Sequence, residues 1–417
     1  MKRRVRLAAA AVAVAVAVLA AGCSSSGGST TNLKLSNDKP IFTSGYKAMS
    51  AVLSKQLKLT LNVNPYSDIP AFDTAITSGT SAGVKPPLFT WYTGQQLNQL
   101  VAAHQVAQTS SIWKQEIAQG ILPASLEKYY TVNGQQYCIP QTLDYWGMYY
   151  NKKIFAKYGL SVPTTWTQLM NIAATLKAHG QTPFYEVDST FAFVWFEMLL
   201  GQSDPNAYNE LVSGKIPFTS APVVKAMQQW ASLIGKGYMS DPTITTNQQQ
   251  LLADGKVAMV PSGTWLNSSF PSLNFPSSDY GFFLIPNVNP SLSKDVTFFE
   301  TSPVCASPNA STTANAMKVL AWWDTTAPQQ AWAKTELDIS PNPKVLVPVT
   351  GFQTLDTDVQ HGTLEPLERY YEAVPATVLT ESLNDFSAFE VNPSTYMTQL
   401  QKIQKVAQKA FGGNSAS

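Results

Sequence analysis

The chain has 417 residues, 44% of them hydrophobic and 11% aromatic, with 28 Lys and Arg against 27 Asp and Glu, for a formal net charge of +1. Its charged fraction of 13% is about half the usual ~25%, so no basic field draws in nucleic acid and no acidic field draws in cations. The length exceeds what one ordinary core accommodates and suits two domains.

Lys2, Arg3, Arg4 and Arg6 precede an unbroken apolar run from Leu7 to Ala21. That run suits the apolar region of an export signal and falls short of the roughly 20 residues that a spanning helix needs. It ends at Leu19-Ala20-Ala21-Gly22-Cys23, and Ser24-Ser25-Ser26-Gly27-Gly28-Ser29 follow. Small residues before a lone Cys, then a flexible polar tract, resemble a bacterial lipoprotein cleavage site, with Ala20 where Leu is usual. The expectation is a signal peptide over residues 1–22, a lipid on Cys23 and a Ser/Gly tether over 23–31. The protein would then sit outside the cell interior, anchored to the outer face of the cytoplasmic membrane. No later segment is apolar enough to span a bilayer.

Beyond the tether, strands and helices alternate. Leu33 to Leu35 predicts a short strand, Ser36 to Thr43 a polar loop and Tyr46 to Gln56 a helix. From Leu57 to Val63 apolar and polar residues alternate with period two, which predicts a strand. Phe72 to Thr80 then predicts a helix and Pro87 to Trp91 a buried strand. The alternation implies an α/β fold with a parallel, doubly wound sheet. After Pro163, Thr165 and Gln168 have the spacing of a capping box. Leu169, Ile172, Ala173 and Leu176 mark one helical face, and Gly180 stops it. Near the end, Asn392-Pro393 offers a cap and a first-turn proline. Tyr396, Leu400, Ile403, Ala407 and Ala410 follow at helical spacing. No repeat and no Pro/Ser linker divides the chain, so two lobes that exchange segments more than once are expected.

Chemistry-bearing motifs are few. His104, His179 and His361 lack neighbours at ligand spacing, so neither a metal centre nor a cofactor is expected. There is no H-E-x-x-H helix and no glycine-rich phosphate loop. Gly263-Thr264 lacks the companions of a nucleophile elbow. With Cys23 acylated, Cys138 and Cys305 remain in a compartment that permits disulfides, and spacing alone does not pair them.

The stretch Tyr149-Tyr150-Asn151-Lys152-Lys153-Ile154-Phe155, then Tyr158-Gly159-Leu160, then Val162-Pro163-Thr164-Thr165-Trp166 resembles the family 1 extracellular solute-binding proteins of ABC importers, the maltose-binding-protein class. Leu88-Phe89-Thr90-Trp91-Tyr92 resembles that family's strand leading into the cleft. Gly255-Lys256-Val257-Ala258-Met259, continuing through Ser262-Gly263-Thr264-Trp265, and Ser302 to Pro308 also agree, in the family's order. The resemblance implies a two-lobed periplasmic-binding-protein type II fold with the ligand cleft between lobes. Lobe 1 would hold residues 32–141 and 304–340, lobe 2 residues 144–301 and 345–411, with hinge crossings near 141–144, 301–304 and 341–345. In this family the strands carrying Cys138 and Cys305 run side by side, which admits a Cys138–Cys305 disulfide, with two buried free thiols as the alternative.

The implied activity is capture of a neutral carbohydrate by lobe closure and its delivery, unaltered, to ABC permease subunits by a monomeric protein that is not an enzyme. Sugars present C–H faces to aromatic planes and hydroxyl edges to amides, carboxylates and cationic donors. The residues to which the resemblance and the strand-end positions point are Trp265 as the stacking tryptophan, Asp144 just past the first crossing, Trp146, Asp38 with Asn37 and Lys39, Asp68, and one of Trp91 and Tyr92. Glu300 and Trp195 are weaker candidates, Trp195 being more at home in a core. Trp322, Trp323 and Trp332 read as core.

Three other readings stay open. The same fold could bind a polyamine through Asp38, Asp68, Asp144 and Glu300. An anion is disfavoured, because Arg369 is the only Arg after Arg6. A secreted glycoside-processing enzyme needs two carboxylates about 5 to 10 Å apart, which no spacing here fixes. A non-transport lipoprotein scaffold is the third.

Overall fold

The computed structural model describes residues 31–78, 85–187, 190–308, 313–347, 349, 351–352 and 354–412. The expected signal peptide, Cys23 and nearly all of the tether lie outside the described residues. Among the described residues the strands are β1 (Asn32–Asn37), β2 (Thr60–Pro65), β3 (Leu88–Thr90), β4 (Thr131–Val132), β5 (Gln135–Gln136), β6 (Asp144–Asn151), β7 (Thr182–Phe184), β8 (Val257–Gly263), β9 (Tyr280–Phe283), β10 (Asp295–Glu300), β11 (Val304–Ala306) and β12 (Leu364–Glu368).

They form two principal sheets, one in each lobe of an α/β protein. The first runs β11-β3-β1-β2 and the second β12-β10-β6-β8-β7, with β9 also paired to β6. The sheets are mixed rather than purely parallel, which corrects the expectation of a parallel, doubly wound sheet. In the first, β1 is parallel to β2 and β3, whereas β11 returns antiparallel to β3. In the second, β10–β12 and β7–β8 are parallel pairs, whereas β6 runs antiparallel to β8, β9 and β10. The antiparallel partners arise because the chain leaves each sheet and re-enters it. It passes to the second sheet before β6, back between β10 and β11, and across again before β12. The passes lie side by side. Ile139 N–H donates to the Val304 carbonyl and Leu143 N–H to that of Ile339, at 3.0 Å each. The Cys138 and Cys305 sulfurs are bonded at the first-sheet end of these passes.

Local boundaries differ from the sequence expectations where two patterns overlap. The first helix spans Thr43–Leu57, ends at a left-handed Lys58 (φ 57°), and consumes Leu57, so β2 starts only at Thr60. The helix expected over 72–80 covers Ile69–Thr77, because Asp68 accepts from Ala71 N–H at 2.8 Å and Pro70 fits its first turn. In the helix Trp166–Ala178, Thr165 caps Gln168 N–H as expected, but Gln168 reaches back to Thr164 N–H (2.7 Å), one residue further out.

Two clusters form the core, one against the first sheet and a second that covers the second sheet and extends to Phe89 and Cys305 of the first. Leu33, Leu35, Tyr46, Met49, Trp323 and Trp332 are buried together against the first sheet, each large side chain worth about 1.5–3 kcal/mol of transfer free energy. The second core is larger. It includes Trp195, whose Nε1 donates to the Tyr185 carbonyl at 3.1 Å, and Trp230, Phe386 and Phe389 on packed helices.

Candidate functional site

Strand ends place the site. Asp38 directly follows β1, Tyr92 lies just past β3, Glu300 closes β10, Arg369 directly follows β12, and Trp265 lies just past β8. Parallel strands present their carboxyl ends on one rim, where ligands of open α/β sheets bind. The register Phe299↔Glu368 carries Glu300 and Arg369 onto neighbouring strand ends. Between the two sheets these residues, with Phe42, Ile69, Phe191, Ser302 and Tyr371, line a cavity of about 260 Å³.

Arg369 is the electrostatic centre. It is 4% exposed, and its guanidinium forks onto two carboxylates. Glu300 receives Nη1 at 3.0 Å and Nη2 at 2.8 Å, while Glu372 receives Nε at 2.9 Å and Nη2 at 2.5 Å. The guanidinium also lies 5.4 Å from the Trp146 ring and 5.2 Å from the Tyr371 ring. Two indoles complete the cluster: Trp146 Nε1 and Trp265 Nε1 donate to Glu300 Oε1 at 3.1 and 3.0 Å. Burial pushes the Glu300 carboxyl up to about 7 against the opposing pull of Arg369, while the surrounding carboxylates hold Arg369 charged despite its burial. Trp265 can fold back over the strand end because Gly263 has no Cβ; one would collide with the Trp265 Nε1 edge.

The opposite wall is lighter. Asp38 accepts from Thr90 Oγ1 at 2.6 Å and from Lys39 Nζ at 3.0 Å. Lys39 Nζ lies 5.6 Å from the Tyr92 ring centre. Tyr92 packs against Tyr371 with centroids 5.2 Å apart, which joins the two walls. The Tyr92 hydroxyl donates to Asp73 at 3.2 Å. Burial, reinforced by Asp38, pushes the Asp73 carboxyl up to about 7.

Of the residues proposed from sequence, Asp38, Lys39, Tyr92, Trp265 and Glu300 line the cavity together, whereas Asn37 does not. Trp91 does not. It points the other way along the strand, packs on Phe72 and Phe89, and donates to the Gln96 carbonyl at 3.2 Å. Trp146 stands behind Glu300 as a support. Asp144 is fully buried away from the cavity, held by Thr142 (2.7 Å), Thr264 (3.1 Å) and a carboxyl–carboxyl hydrogen bond with Asp338. Asp68 caps the helix Ile69–Thr77 and lines an adjoining space. Arg369, Tyr371 and Phe191 were missed. For Arg369 a signal existed, since it is the only Arg after Arg6.

No group of three or more His, Cys, Asp or Glu suited to a metal ion occurs among the described residues, and no described helix is long and apolar enough to cross a membrane. Gly79-Thr80-Ser81-Ala82-Gly83 spells a Gly-x-Ser-x-Gly motif, outside the described residues. It follows the helix Ile69–Thr77 and precedes β3, the reverse of the strand-to-helix order of a nucleophile elbow.

Residues 40–330 match the family model described as bacterial extracellular solute-binding protein. The chain belongs to this family. It is 25% identical over 213 residues to an uncharacterized ABC transporter extracellular-binding protein of Pyrococcus horikoshii, covering 49% of this chain and 48% of that one. The match thus spans about half the length of that relative. Among solved structures, the bacterial solute receptor AcbH, described with an exclusive preference for β-D-galactopyranose, superposes with a TM-score of 0.81 at 18% identity, covering 91% of this chain and 99% of that one. A chitin oligosaccharide binding protein gives a TM-score of 0.78 at 18% identity, covering 92% and 100%. At this identity the likeness establishes a shared two-lobed fold.

Proposed function

We propose that this protein is the substrate-binding component of an ABC importer, closing its lobes on a neutral carbohydrate and delivering it unaltered to a membrane permease. The observation that carries the reading is a cavity walled by Tyr92, Phe191, Trp265 and Tyr371 whose charged groups are already paired with one another. Aromatic planes suit sugar C–H faces, and a paired carboxylate and guanidinium still offer lone pairs and N–H groups to hydroxyls without demanding a counter-charge from the ligand. The same pairing argues against a polyamine. Asp68 and Asp144 lie outside the cavity, and the remaining two acids, Asp38 and Glu300, are already paired with Lys39 and with Arg369, which Glu300 shares with Glu372.

The sheet memberships support lobes of residues 32–141 with 304–340 and 144–301 with 345–411, hinged at crossings near 141–144, 301–304 and 341–345. A bound sugar touching both lobes favours the closed state. We extend the reading to a monomer, without enzymatic turnover, held outside the cytoplasmic membrane by a lipid on Cys23. The test is calorimetric titration of the protein from Cys23 onward with neutral sugars and with putrescine and spermidine. At least one sugar should bind and raise the melting temperature by mass action. Trp265→Ala should weaken that binding about 30-fold or more, as truncation of a central aromatic anchor does. Binding of polyamines alone, or release of a cleaved product from the sugar, would overturn the reading.

A further inference from the structure

Two carboxyls meet where the chain crosses between the sheets. Asp338 follows the helix Thr326–Glu336, which is packed against the first sheet through Trp332, whereas Asp144 opens β6 of the second. The bond from Leu143 N–H to the Ile339 carbonyl, at 3.0 Å, sets the two segments side by side. Both acids are fully buried.

The donors around the pair show where its proton sits. Asp144 Oδ2 accepts from Thr142 Oγ1 at 2.7 Å, and Oδ1 accepts from Thr264 Oγ1 at 3.1 Å. Tyr145 N–H donates to that Thr264 oxygen at 3.3 Å, which leaves the hydroxyl proton for Asp144. Asp338 Oδ1 accepts from Ile339 N–H at 2.8 Å, while Oδ2 receives no N–H or hydroxyl donor. A carboxyl–carboxyl bond needs one proton, and Asp338 Oδ2 is the oxygen left to carry it. Asp338 is the acid and Asp144 the acceptor. Burial and the neighbouring Asp144 raise Asp338 well above the ordinary carboxylate range, in keeping with that assignment.

Other titratable groups face the pair from the elements around it. Lys39, after β1, favours the ionised form of Asp144. Glu300, at the end of β10, and Glu336, on the helix before Asp338, oppose further negative charge, and Tyr149 lies along β6. Glu336 accepts from Gly45 N–H and Glu300 from Arg369, so each glutamate is bonded on its own side of the crossing. The Asp338–Asp144 bond spans it. In this arrangement the lobes are apposed across the cleft: Thr93 Oγ1 donates to Glu368 at 2.7 Å and Gln96 Nε2 to the Tyr371 carbonyl at 2.9 Å.

We propose that Asp338 and Asp144 form a proton-operated catch at the hinge. With Asp338 protonated, the bond ties the lobes at their pivot in the apposed arrangement. Release of that proton to solvent leaves two anions together in a dry site, which drives the segments apart and opens the cleft. This rests on the hinged-lobe reading above and adds its regulation. By linkage, closure takes up a proton, so ligand affinity falls as pH rises, by at most about ten-fold per pH unit for one linked proton. The sign separates the catch from the cleft. Glu368, which burial raises to about 7, ionises over the same range and becomes a stronger acceptor for Thr93, drawing the lobes together as pH rises.

The experiment is small-angle X-ray scattering of the ligand-free protein from Cys23 onward, between about pH 5 and pH 9, with circular dichroism to follow the fold. The wild-type radius of gyration should rise with pH while the circular dichroism stays constant. Asp338→Asn should stay compact throughout, because the amide donates to Asp144 and cannot ionise. Infrared spectra should show a protonated-carboxyl band in wild type that fades over the same range and is missing from the variant. A wild-type radius that stays constant or falls would overturn the proposal, whether or not the variant folds. So would a variant that opens with pH as wild type does, or a band that the variant retains. None of these outcomes bears on the carbohydrate reading, which the sugar titrations decide.

Discussion

The two walls of the cavity hold their charges in opposite ways. On the first-lobe wall, Asp38 and Lys39 are sequence neighbours, and the Lys39 side chain remains 18% exposed. Asp38 has a second donor, because Thr90 Oγ1, which accepts from the Asp38 backbone N–H, donates to its carboxylate. On the second-lobe wall, Glu300, Arg369 and Glu372 are each no more than 4% exposed, and Arg369 pairs with both acids. One wall is an adjustable rim and the other is a rigid platform built at the cost of burying three charges. The platform is also where two tryptophans take their orientation, through Glu300 Oε1. The comparison suggests that ligand geometry is set by the second lobe and that the first lobe adapts on closing.

The largest effect is expected from Arg369→Met. It leaves Glu300 and Glu372 buried without a paired cation, Glu300 keeping only its two indole donors, and removal of one member of a buried ionic cluster costs about 3–5 kcal/mol. Urea unfolding should show a loss of that size. Adding Glu300→Gln to Arg369→Met should recover part of it by removing one stranded charge. A loss under about 1 kcal/mol would mean that water already reaches the cluster and that no rigid platform exists.

Why five site residues were legible in the sequence and others were not follows from how each is placed. Asp38, Lys39 and Tyr92 follow strands that the local pattern predicts, whereas Trp265 lies in a motif of the family resemblance and Glu300 beside its implied crossing near 301–304; a strand end is where a parallel sheet exposes side chains to a ligand. The two-lobed frame was legible for a related reason: ordered motifs from Leu88 to Pro308 resembled one family. Arg369, Tyr371 and Phe191 reach the cavity only after the third crossing or through a long excursion, and nothing local marks the destination. Trp91 and Tyr92 are adjacent and chemically alike, so alternation said that they face apart without saying which faces inward. Asp144 sits at a crossing, but Thr142, Thr264 and Asp338 claim both of its oxygens, and Asp338 comes from far along the chain. Leu57 fits equally well as the last residue of a helix or the first of a strand, which shifted β2 by three residues.

The pH dependence of stability tests burial on the two sides at once. Burial holds Asp73, Glu300, Glu336 and Glu368 up to about 7, and Glu116 and Glu186 up to about 8. Asp338 is also raised well above the ordinary carboxylate range by burial and by Asp144 beside it. A carboxyl whose folded value exceeds its unfolded one binds more protons when folded, so it favours the fold below about pH 4.3 and loses that contribution as pH rises through the folded value. The melting temperature should therefore fall between about pH 5 and pH 8, by the equivalent of on the order of 2 kcal/mol. Asp338→Asn should flatten part of the slope, since an amide can still donate to Asp144 and cannot ionise. Stability that rises over this range would show that these carboxyls are solvated.

Lys39→Met is the smallest of the three and the most discriminating. The pair it removes is partly exposed and joins adjacent residues, and such pairs contribute about 0–1 kcal/mol. Asp38 is itself buried, but it keeps its bond from Thr90 Oγ1, so its carboxylate is not left without a donor. Unfolding free energy should change by less than about 1 kcal/mol. Ligand affinity should change in the opposite proportion to the platform variant, because Lys39 lies over the Tyr92 face that closes on the ligand: a measurable weakening of binding with the fold intact. If Lys39→Met destabilised the protein as much as Arg369→Met, the rim would be a second platform. Closure would then bring together two rigid surfaces, and specificity would have to come from both lobes equally.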